Sequence, residues 1–407
     1  MTIPGPSKAS ENYSKFFAQC DQEGFPDRHY LEWVSKQSAR SARLDSKNPV
    51  KTLEFSPTGS HLAYSRADGT LNLWKLKSDR AETYLSVEFE LPRNVSSTGP
   101  VERPVCGMTW HPITGFLLAT VNGSSCINVH DVFTGALIKN IDTNGDLSFR
   151  KLSYSPDGSL LVALAEDGQF CLFDIDGDYK QLWTSSSKAR SEGPPEPTVT
   201  ATTFTWSQDS SMLYVAFNSG EIRVFKVGET ALEHYTSVSG HTGAINRLKI
   251  DSTGLFLFAG GSDTICSIWN LTNMCCVKII SDFTGPIMDL DISSDNVALA
   301  LTSPLHTQIY AMDTSESLHS LAPQQNIEIP IFRFYPGRMA FVTISENEEV
   351  VKYHKLAPTE AGNRSDTVER EKNGRHDRNG AGIKTSRRRE DDRSWRGSRF
   401  PKRSARR

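Results

Sequence analysis

The residues with the most evident chemistry lie in an arginine-rich run near the end of the sequence. This run combines cations with two aromatic residues: Arg387, Arg388, Arg389, Arg393, Trp395, Arg396, Arg399, Phe400, Lys402, Arg403, Arg406 and Arg407. Guanidinium groups pair with phosphates through a planar fork, and aromatic rings stack on unpaired bases. The run therefore predicts sequence-tolerant RNA contact, a nuclear-import signal, or both. A tail that only solubilises the chain remains an alternative interpretation.

The charges of the chain are unevenly divided. The 407 residues carry 45 Lys/Arg and 48 Asp/Glu, a net charge of -3. Residues 357–407 hold 16 of the basic and 8 of the acidic side chains, which leaves 29 and 40 in the rest. This division predicts an acidic folded body over 39–356, a flexible segment over 1–38, and an Arg-rich tail over 357–407 that is disordered when free.

Patterns typical of catalytic sites are absent from the sequence. It contains no P-loop, no HExxH, no GxSxG and no Cys/His set with zinc spacing. Asp289 and Asp291 alternate on one face of a predicted strand, which we expect to be solvated rather than metal-binding. His241 lies in a Gly-His pair typical of a buried structural histidine. We predict a protein that is not an enzyme, with no cofactor, no metal site and no small-molecule substrate.

The cysteines and the hydropathy of the chain indicate its compartment. Seven cysteines are scattered without a CxxC pair, and the adjacent Cys275 and Cys276 point to opposite faces of a predicted strand. No run of about 18 apolar residues exists, and the first residues lack the order of a secretory signal. We therefore expect a reduced intracellular protein with no membrane span, whose thiols act mostly as small hydrophobic groups.

The elements that must position these residues belong to a repeat. An apolar strand, a Ser/Pro/Asp/Gly turn and a second apolar strand recur, as in LSYSPDGSLLVAL from Leu152. The first strand of each copy ends in an aromatic or aliphatic residue, which we call the anchor. The anchors are spaced 42 to 55 residues apart and are Phe55, Trp110, Tyr154, Trp206, Ile250, Ile292 and Phe334. Seven such units predict an all-β, seven-bladed β-propeller.

A third strand follows each pair after a polar turn, with period-two alternation. In three units a turn aspartate precedes the aromatic residue of this strand by six positions. These structural pairs are Asp68 and Trp74, Asp167 and Phe173, and Asp263 and Trp269. Such a fixed offset is typical of one repeated unit rather than of unrelated hairpins.

At this point the sequence resembles WD-repeat propellers over about residues 39–356. Gly240-His241 is similar to the Gly-His of that family, and His241, Asp263 and Trp269 match three members of its structural hydrogen-bonding tetrad. The strand position that usually supplies the tetrad's hydroxyl falls on Ala259 or Gly260. The resemblance therefore implies an incomplete tetrad in this unit.

Closure of the ring can be predicted as well. The seventh unit ends in EVVKYHKL and is one outer strand short before the tail begins. Residues 39–45 precede the first unit by the distance of an outer strand. We expect this segment to pair with residues 349–356, because pairing would leave few exposed strand edges.

Four stretches together resemble one subfamily, the WD-repeat subunit of the THO complex in the transcription-export (TREX) assembly, of the fungal type. They are Ala63–Gly69, His241–Asp251, Cys266–Cys276 and Phe332–Pro336. The resemblance implies a nuclear scaffold subunit that docks on a large helical THO subunit and meets a DEAD-box RNA helicase indirectly. The complex of that family couples transcription to mRNA packaging and export.

Two other classes of function stay open. A peptide-reading adaptor, such as a ubiquitin-ligase receptor or a histone-tail reader, could use acidic turns at Asp68, Glu166-Asp167 and Asp263 to bind a basic peptide. A propeller enzyme is the less favoured alternative. The polar end of the first hairpin is a candidate partner-binding site through Tyr64 and Arg66, and an internal salt bridge of Arg66 is the other interpretation.

Overall fold

The structure, a computed structural model, is built from antiparallel sheets arranged in chain order. It describes residues 50–67, 71–75, 83–84, 104–132, 134–143, 147–185, 199–321, 331–337, 340–344 and 351–355. The chain divides into two units, Met1–Ala357 and Pro358–Arg407, and every described residue belongs to the first. Seven sheets, which we call blades 1 to 7, are formed by these residues.

Blades 1 to 4 each contain four strands, paired in the order in which the chain makes them. Blade 1 consists of β1 (Val50–Phe55), β2 (His61–Arg66), β3 (Leu71–Lys75) and β4 (Thr83–Tyr84). Blade 2 consists of β5 (Gly107–Trp110), β6 (Leu117–Val121), β7 (Cys126–Asp131) and β8 (Leu137–Asp142). Blade 3 consists of β9 (Phe149–Tyr154), β10 (Leu160–Ala165), β11 (Phe170–Asp174) and β12 (Lys180–Thr184). Blade 4 consists of β13 (Ala201–Trp206), β14 (Met212–Phe217), β15 (Glu221–Val227) and β16 (Leu232–Ser239).

Blades 5 and 6 repeat this order, and blade 7 has three strands among the described residues. Blade 5 consists of β17 (Ile245–Ile250), β18 (Phe256–Gly261), β19 (Cys266–Asn270) and β20 (Cys275–Ile280). Blade 6 consists of β21 (Asp289–Ile292), β22 (Ala298–Thr302), β23 (Thr307–Ala311) and β24 (Ser317–Leu321). Blade 7 consists of β25 (Phe332–Phe334), β26 (Ala340–Ile344) and β27 (Val351–Lys355). The predicted seven units are confirmed, and each anchor is the last residue of the first strand of its blade.

The turn after each anchor explains why the repeat contains Ser and Gly at fixed places. In blade 3, the Oγ of Ser155 accepts the backbone N–H of Leu160 at 2.9 Å, which closes the turn. The same bond is made by the residue after the anchor in four other blades, namely by Ser56, Ser207, Asp251 and Ser293. Gly158 lies in the left-handed region at φ 73°, a conformation that costs a glycine little.

The core lies between neighbouring blades. The second strands are almost fully buried, whereas the fourth strands of blades 2, 4 and 5 are mostly exposed. Val162 and Leu164 of blade 3, for example, pack against Phe204 and Trp206 of blade 4. Burial of apolar faces between sheets is thus the main stabilising term.

The ring closes between blade 7 and blade 1. The rings of Phe55 and Tyr335 meet edge to face with centroids 5.2 Å apart, and the hydroxyl of Tyr335 donates to the carbonyl of Gly59. Residues 39–45, the predicted closing strand, lie outside the described residues, so that pairing stays a prediction.

The turns that follow the anchors are hydrogen-bonded to each other around the ring. Asp157 N–H donates to Ser210 at 3.1 Å, between blades 3 and 4. Ser252 N–H donates to Asn296 at 3.0 Å, between blades 5 and 6, and Gly337 N–H donates to Ser294 at 2.8 Å, between blades 6 and 7. We call this end of the ring the turn face, and the opposite end, where the first strands begin, the rim.

Candidate binding channel

The first strands carry a polar residue directly before every anchor. These residues are Glu54, Thr109, Ser153, Thr205, Lys249, Asp291 and Arg333. All except Asp291 line a cavity of about 390 Å³ at the centre of the ring. Sequence reasoning did not identify them as a set, although their fixed position beside the anchors is a signal that could have done so. We call this cavity the channel.

Four first strands carry an irregularity near their second residue. The ladder register shifts between Val50 and Thr52 in blade 1, and it shifts at the corresponding places in blades 3, 4 and 5. A residue that is left out of the ladder can direct its side chain away from the sheet. In blades 3, 4 and 5 the residues concerned are Arg150, Thr202 and Asn246.

These bulged residues link blades 3, 4 and 5 each to the blade that follows, at the rim. Arg150 Nη2 donates to the carbonyl oxygen of Ala201 at 2.9 Å. Thr202 Oγ1 donates to the carbonyl of Ile245 at 2.5 Å, and Asn246 Nδ2 donates to the carbonyl of Ile287 at 2.8 Å. The bulges therefore convert a local loss of ladder bonds into contacts between blades.

One side of the channel holds matched charges. Arg247 Nε lies 3.1 Å from Asp289 Oδ1, Lys249 pairs with Asp291, and Arg333 pairs with Asp289. Arg247 and Arg333 also reach Glu54 of blade 1, at 3.9 and 3.8 Å. We call these six residues the balanced half: Glu54, Arg247, Lys249 and Arg333 line the channel, and Asp289 and Asp291 lie behind them as their partners.

The predicted solvated face of Asp289 and Asp291 is wrong, because only 8% and 3% of these residues is exposed. Burial by itself would raise the pKa of the Asp289 carboxyl, but Arg333 and Arg247 outweigh it and hold that pKa below its ordinary value. Burial would likewise lower the pKa of Arg333, and the carboxylates around it raise that pKa instead. The pairing compensates the cost of removing these charges from water.

The opposite side of the channel holds cations that face neutral oxygens. Lys151 Nζ donates to Thr203 Oγ1 at 2.5 Å and to the carbonyl of Phe204 at 3.2 Å. Arg150 donates to backbone carbonyls of blade 4. Burial lowers the pKa of the Lys151 ammonium well below its ordinary value, and the charge of Arg247 lowers it further. We call Arg150 and Lys151, together with Thr202 and Thr203, the cationic half.

The tetrad of blade 5 is complete, so the predicted gap at Ala259 or Gly260 is wrong. The hydroxyl comes from Ser267 on β19, directly across the ladder from Ala259. Trp269 Nε1 donates to Ser267 Oγ at 2.8 Å, and Ser267 Oγ lies 2.7 Å from His241 Nε2.

The tetrad ends on the turn aspartate. His241 Nδ1 lies 3.0 Å from Asp263 Oδ1, and Thr242 N–H donates to Asp263 Oδ2 at 2.9 Å. A Cβ on Gly240 would lie 2.4 Å from Trp269 Cζ2, so glycine is needed for the tryptophan to reach Ser267. His241, Asp263 and Trp269 are thus members of one hydrogen-bonded network.

The other predicted turn aspartates have local partners or lie outside the described residues. The Oδ1 of Asp167 accepts the backbone N–H of Gln169 at 2.9 Å, as expected of a turn residue. Asp68 lies outside the described residues, and Trp74 is described only as a member of β3. Asp167 and Asp263 are therefore engaged in building turns, which gives no support to a dedicated basic-peptide site.

Tyr64 and Arg66 are buried in blade 1, with 4% and 6% exposed. The guanidinium of Arg66 lies 5.5 Å from the centre of the Tyr64 ring, which is within cation–π range. Ser65, between them, donates to the carbonyl of Val105 in blade 2 at 2.7 Å. This burial favours an internal role for the pair, and the partner contact stays a prediction.

The cysteines differ in their exposure. Cys171 and Cys266 are buried, as expected of small hydrophobic groups, whereas Cys106, Cys275 and Cys276 are exposed. Within the described ranges no group of three or more His, Cys, Asp or Glu could hold a metal, and no helix there is long and apolar enough to cross a membrane. The arginine-rich run at 387–407 lies outside the described residues.

Comparison with known proteins finds WD repeats in the sequence and a β-propeller among the solved structures. The model of the WD domain, G-beta repeat, matches residues 40–75 and 232–270, and that of the anaphase-promoting complex subunit 4 WD40 domain matches residues 152–242. The Cps50 (Swd1) β-propeller domain of Myceliophteria thermophila superposes with a TM-score of 0.59 at 14% identity, over 76% of this chain and 98% of that one. The chain is a seven-bladed WD-repeat β-propeller. Neither matching family model is that of an enzyme.

Curated relatives extend along most of the propeller. Protein TEX1 of Saccharomyces cerevisiae is 25% identical over 348 residues, which cover 84% of this chain and 80% of TEX1. THO complex subunit 3 of Arabidopsis thaliana is 19% identical over 68% of this chain and 80% of its own length. WD repeat-containing protein AAC3 of Dictyostelium discoideum is 22% identical over 71% of this chain and 56% of its own length.

Proposed function

We propose that this WD-repeat propeller is a non-catalytic scaffold subunit of a nuclear complex of the THO/TREX type, which couples transcription to mRNA packaging and export. The observation that carries the proposal is the similarity to a THO complex subunit over 80% of that protein's length. The four stretches that resemble the THO subfamily support it from the sequence. The direct partners are then a large helical THO scaffold and other THO subunits, with a DEAD-box RNA helicase reached indirectly.

The site chemistry is consistent with an architectural role. The charged side chains of the balanced half are occupied with one another, and the tetrad of blade 5 supports the fold. Ser267, His241 and Asp263 are hydrogen-bonded in the order of a hydroxyl, a base and a carboxylate. Ser267 is only 1% exposed, however, and its Oγ accepts the indole N–H of Trp269, so the hydroxyl is held inside the blade rather than presented to a substrate. The propeller then acts by holding partners in place.

Purification of the full-length chain with its native partners tests this proposal. The chain, carrying an affinity tag, is recovered from nuclease-treated nuclear extract, and its partners are identified by mass spectrometry. We expect large helical THO-type subunits in amounts comparable to the chain itself. Recovery of a cullin-type ubiquitin ligase in their place would contradict the proposal.

The basic tail is proposed to contact RNA, to carry a nuclear-import signal, or both. Deletion of residues 384–407 should weaken binding of single-stranded RNA at low salt, because most of the clustered arginines are removed. The double variant Trp395→Ala and Phe400→Ala keeps every charge and measures the stacking contribution by itself. Equal RNA affinity of the full chain and the deletion variant would exclude RNA contact by the tail.

A further inference from the structure

The cationic half of the channel carries charge that the described residues do not neutralise. Neither Arg150 nor Lys151 lies within 4.0 Å of a carboxylate oxygen in the described part of the chain. The balanced half, in contrast, has as many carboxylates as cations. Partly buried cations without a counter-ion are costly unless a ligand supplies the missing charge.

Hydrogen-bond donors remain available on both cations. An ammonium group has three donors, and Lys151 gives two of them to Thr203 and Phe204. The Nε of Arg150 is buried and makes no hydrogen bond with any of the described residues. Each of these two cationic side chains therefore keeps one hydrogen-bond donor without a described partner, beside the same cavity.

The cavity has the size and access of a ligand site. Its volume of about 390 Å³ lies within the range of about 300 to 1,000 Å³ that small-ligand sites occupy. The hydroxyl-bearing side chains of Thr109 and Thr205 line it, and so does Cys106, which is exposed at the rim. A group entering from the rim would meet the cationic half first, because Arg150 belongs to the rim links.

The carboxylates near the channel in the described part of the chain are already engaged or distant. Glu54 and Asp289 act on Lys151 only from across the channel, where Arg247 and Arg333 hold them. Glu166 acts on Arg150 but is exposed and makes no ion pair with it. No carboxylate of the described residues therefore supplies the missing negative charge.

We propose that the cationic half of the channel binds a carboxylate carried on an acidic segment of a protein partner, with Lys151 and Arg150 as its donors. This inference does not depend on the THO assignment. A protein carboxylate fits better than RNA, because Phe204 is the one aromatic side chain among the lining residues described. Phe204 is only 3% exposed, and Lys151 Nζ lies over its ring, 5.1 Å from the centre, so no face is open for a base to stack on.

Protection of Cys106 from alkylation tests the proposal. The full-length chain is treated with iodoacetamide with and without a hexaglutamate peptide, and the rate at each cysteine is followed by peptide mass spectrometry. We expect the peptide to slow alkylation of Cys106, which lines the channel. Cys275 and Cys276, exposed on the outer strand β20, serve as controls in the same sample and should react at unchanged rates.

Variants then separate the channel from general charge effects. Lys151→Met should lower the affinity for a fluorescent hexaglutamate peptide by about tenfold or more, the usual value of a charged hydrogen bond. Lys180→Met makes the same change on the exposed strand β12 of the same blade and should leave affinity unchanged. Arg150→Gln provides a second channel variant if Lys151→Met does not fold.

Four results would contradict the proposal. Unchanged alkylation of Cys106 at saturating peptide, or equal peptide affinity of the wild type, Lys151→Met and Arg150→Gln, contradicts a carboxylate site here. Protection by hexalysine as strong as that by hexaglutamate would contradict it as well. Protection by oligouridine but not by hexaglutamate would contradict a protein partner.

Discussion

The two halves of the channel are both built on first strands, yet they compensate charge in different ways. In the balanced half, cations from blades 5 and 7 meet carboxylates from blades 1 and 6. In the cationic half, blade 3 supplies Arg150 and Lys151, and blade 4 answers them only with hydroxyl and carbonyl oxygens. The fold therefore determines the direction of the side chain at each position, but not its charge. Charged side chains stabilise the fold in the balanced half and are available for binding in the cationic half.

Removal of a carboxylate from the balanced half should have the largest effect. Asp289→Ala leaves Arg247 and Arg333 without their nearest counter-ion in a buried site, and breaking such a pair costs about 3–5 kcal/mol. Urea unfolding followed by tryptophan fluorescence measures the loss. Lys180→Met, on an exposed strand, should stay within about 0.5 kcal/mol of the wild type. A loss below about 1 kcal/mol for Asp289→Ala would mean that the two halves do not differ in their contribution to the free energy of unfolding.

The tetrad of blade 5 should contribute to stability independently of the charges in the channel. Ser267→Ala leaves the indole N–H of Trp269 and one ring nitrogen of His241 without a partner inside the protein. Each unsatisfied buried group costs about 1–3 kcal/mol, so with two such groups a loss of about 2 kcal/mol or more is expected. Ser237→Ala, on the outer strand of blade 4, is a control of the same chemistry. Equal stability of both variants would show that the tetrad contributes nothing measurable.

The acid dependence of stability should come from the balanced half. The pKa of Asp289 is lower in the folded chain than in the unfolded one. Its contribution is therefore fully present above the unfolded pKa of about 3.9, and it is lost as the pH falls through the lower folded pKa. Thermal unfolding between pH 6 and pH 2.5 measures this loss. An Asp289→Asn variant should show a shallower decline, and an identical decline would contradict the assignment.

Removal of the cation from the other half should have the smallest effect on stability. Lys151→Met replaces a buried ammonium that has no counter-ion, so we expect anything from no change to a gain of about 1 kcal/mol. Because the folded pKa of Lys151 is lowered, the wild type should also gain stability as the pH rises from that value toward about 10.4. The variant should lack this alkaline gain. A loss above about 2 kcal/mol in urea would assign Lys151 to the structure rather than to binding.

The fold could be predicted from the sequence because its signals are local. Within one blade, the anchor, the turn serine and the alternating strand that follows lie within about 15 residues of one another. The seven blades therefore follow from a pattern that is short and repeated. Both the left-handed turn at Gly158 and the role of Ser155 belong to this pattern.

The channel could not be predicted to the same extent, because its partners lie in different blades. Asp289 meets Arg333 44 residues further along the chain, and Lys151 meets Thr203 52 residues further. Without the register of neighbouring first strands, Asp289 and Asp291 look like ordinary exposed residues of a strand. The hydroxyl of Ser267 was missed for a smaller reason: it lies one strand away from the expected position, directly across from Ala259.

The hydrogen-bonded turn face has a consequence for engineering this protein. Its turns are short and bonded to one another, so a segment inserted there would break contacts on two sides at once. The connections that lead from one blade to the rim of the next differ widely in length, with 22 residues between β4 and β5 but 6 between β8 and β9. A reporter domain placed in the 16-residue connection between β12 and β13 should therefore leave the seven-sheet ring intact.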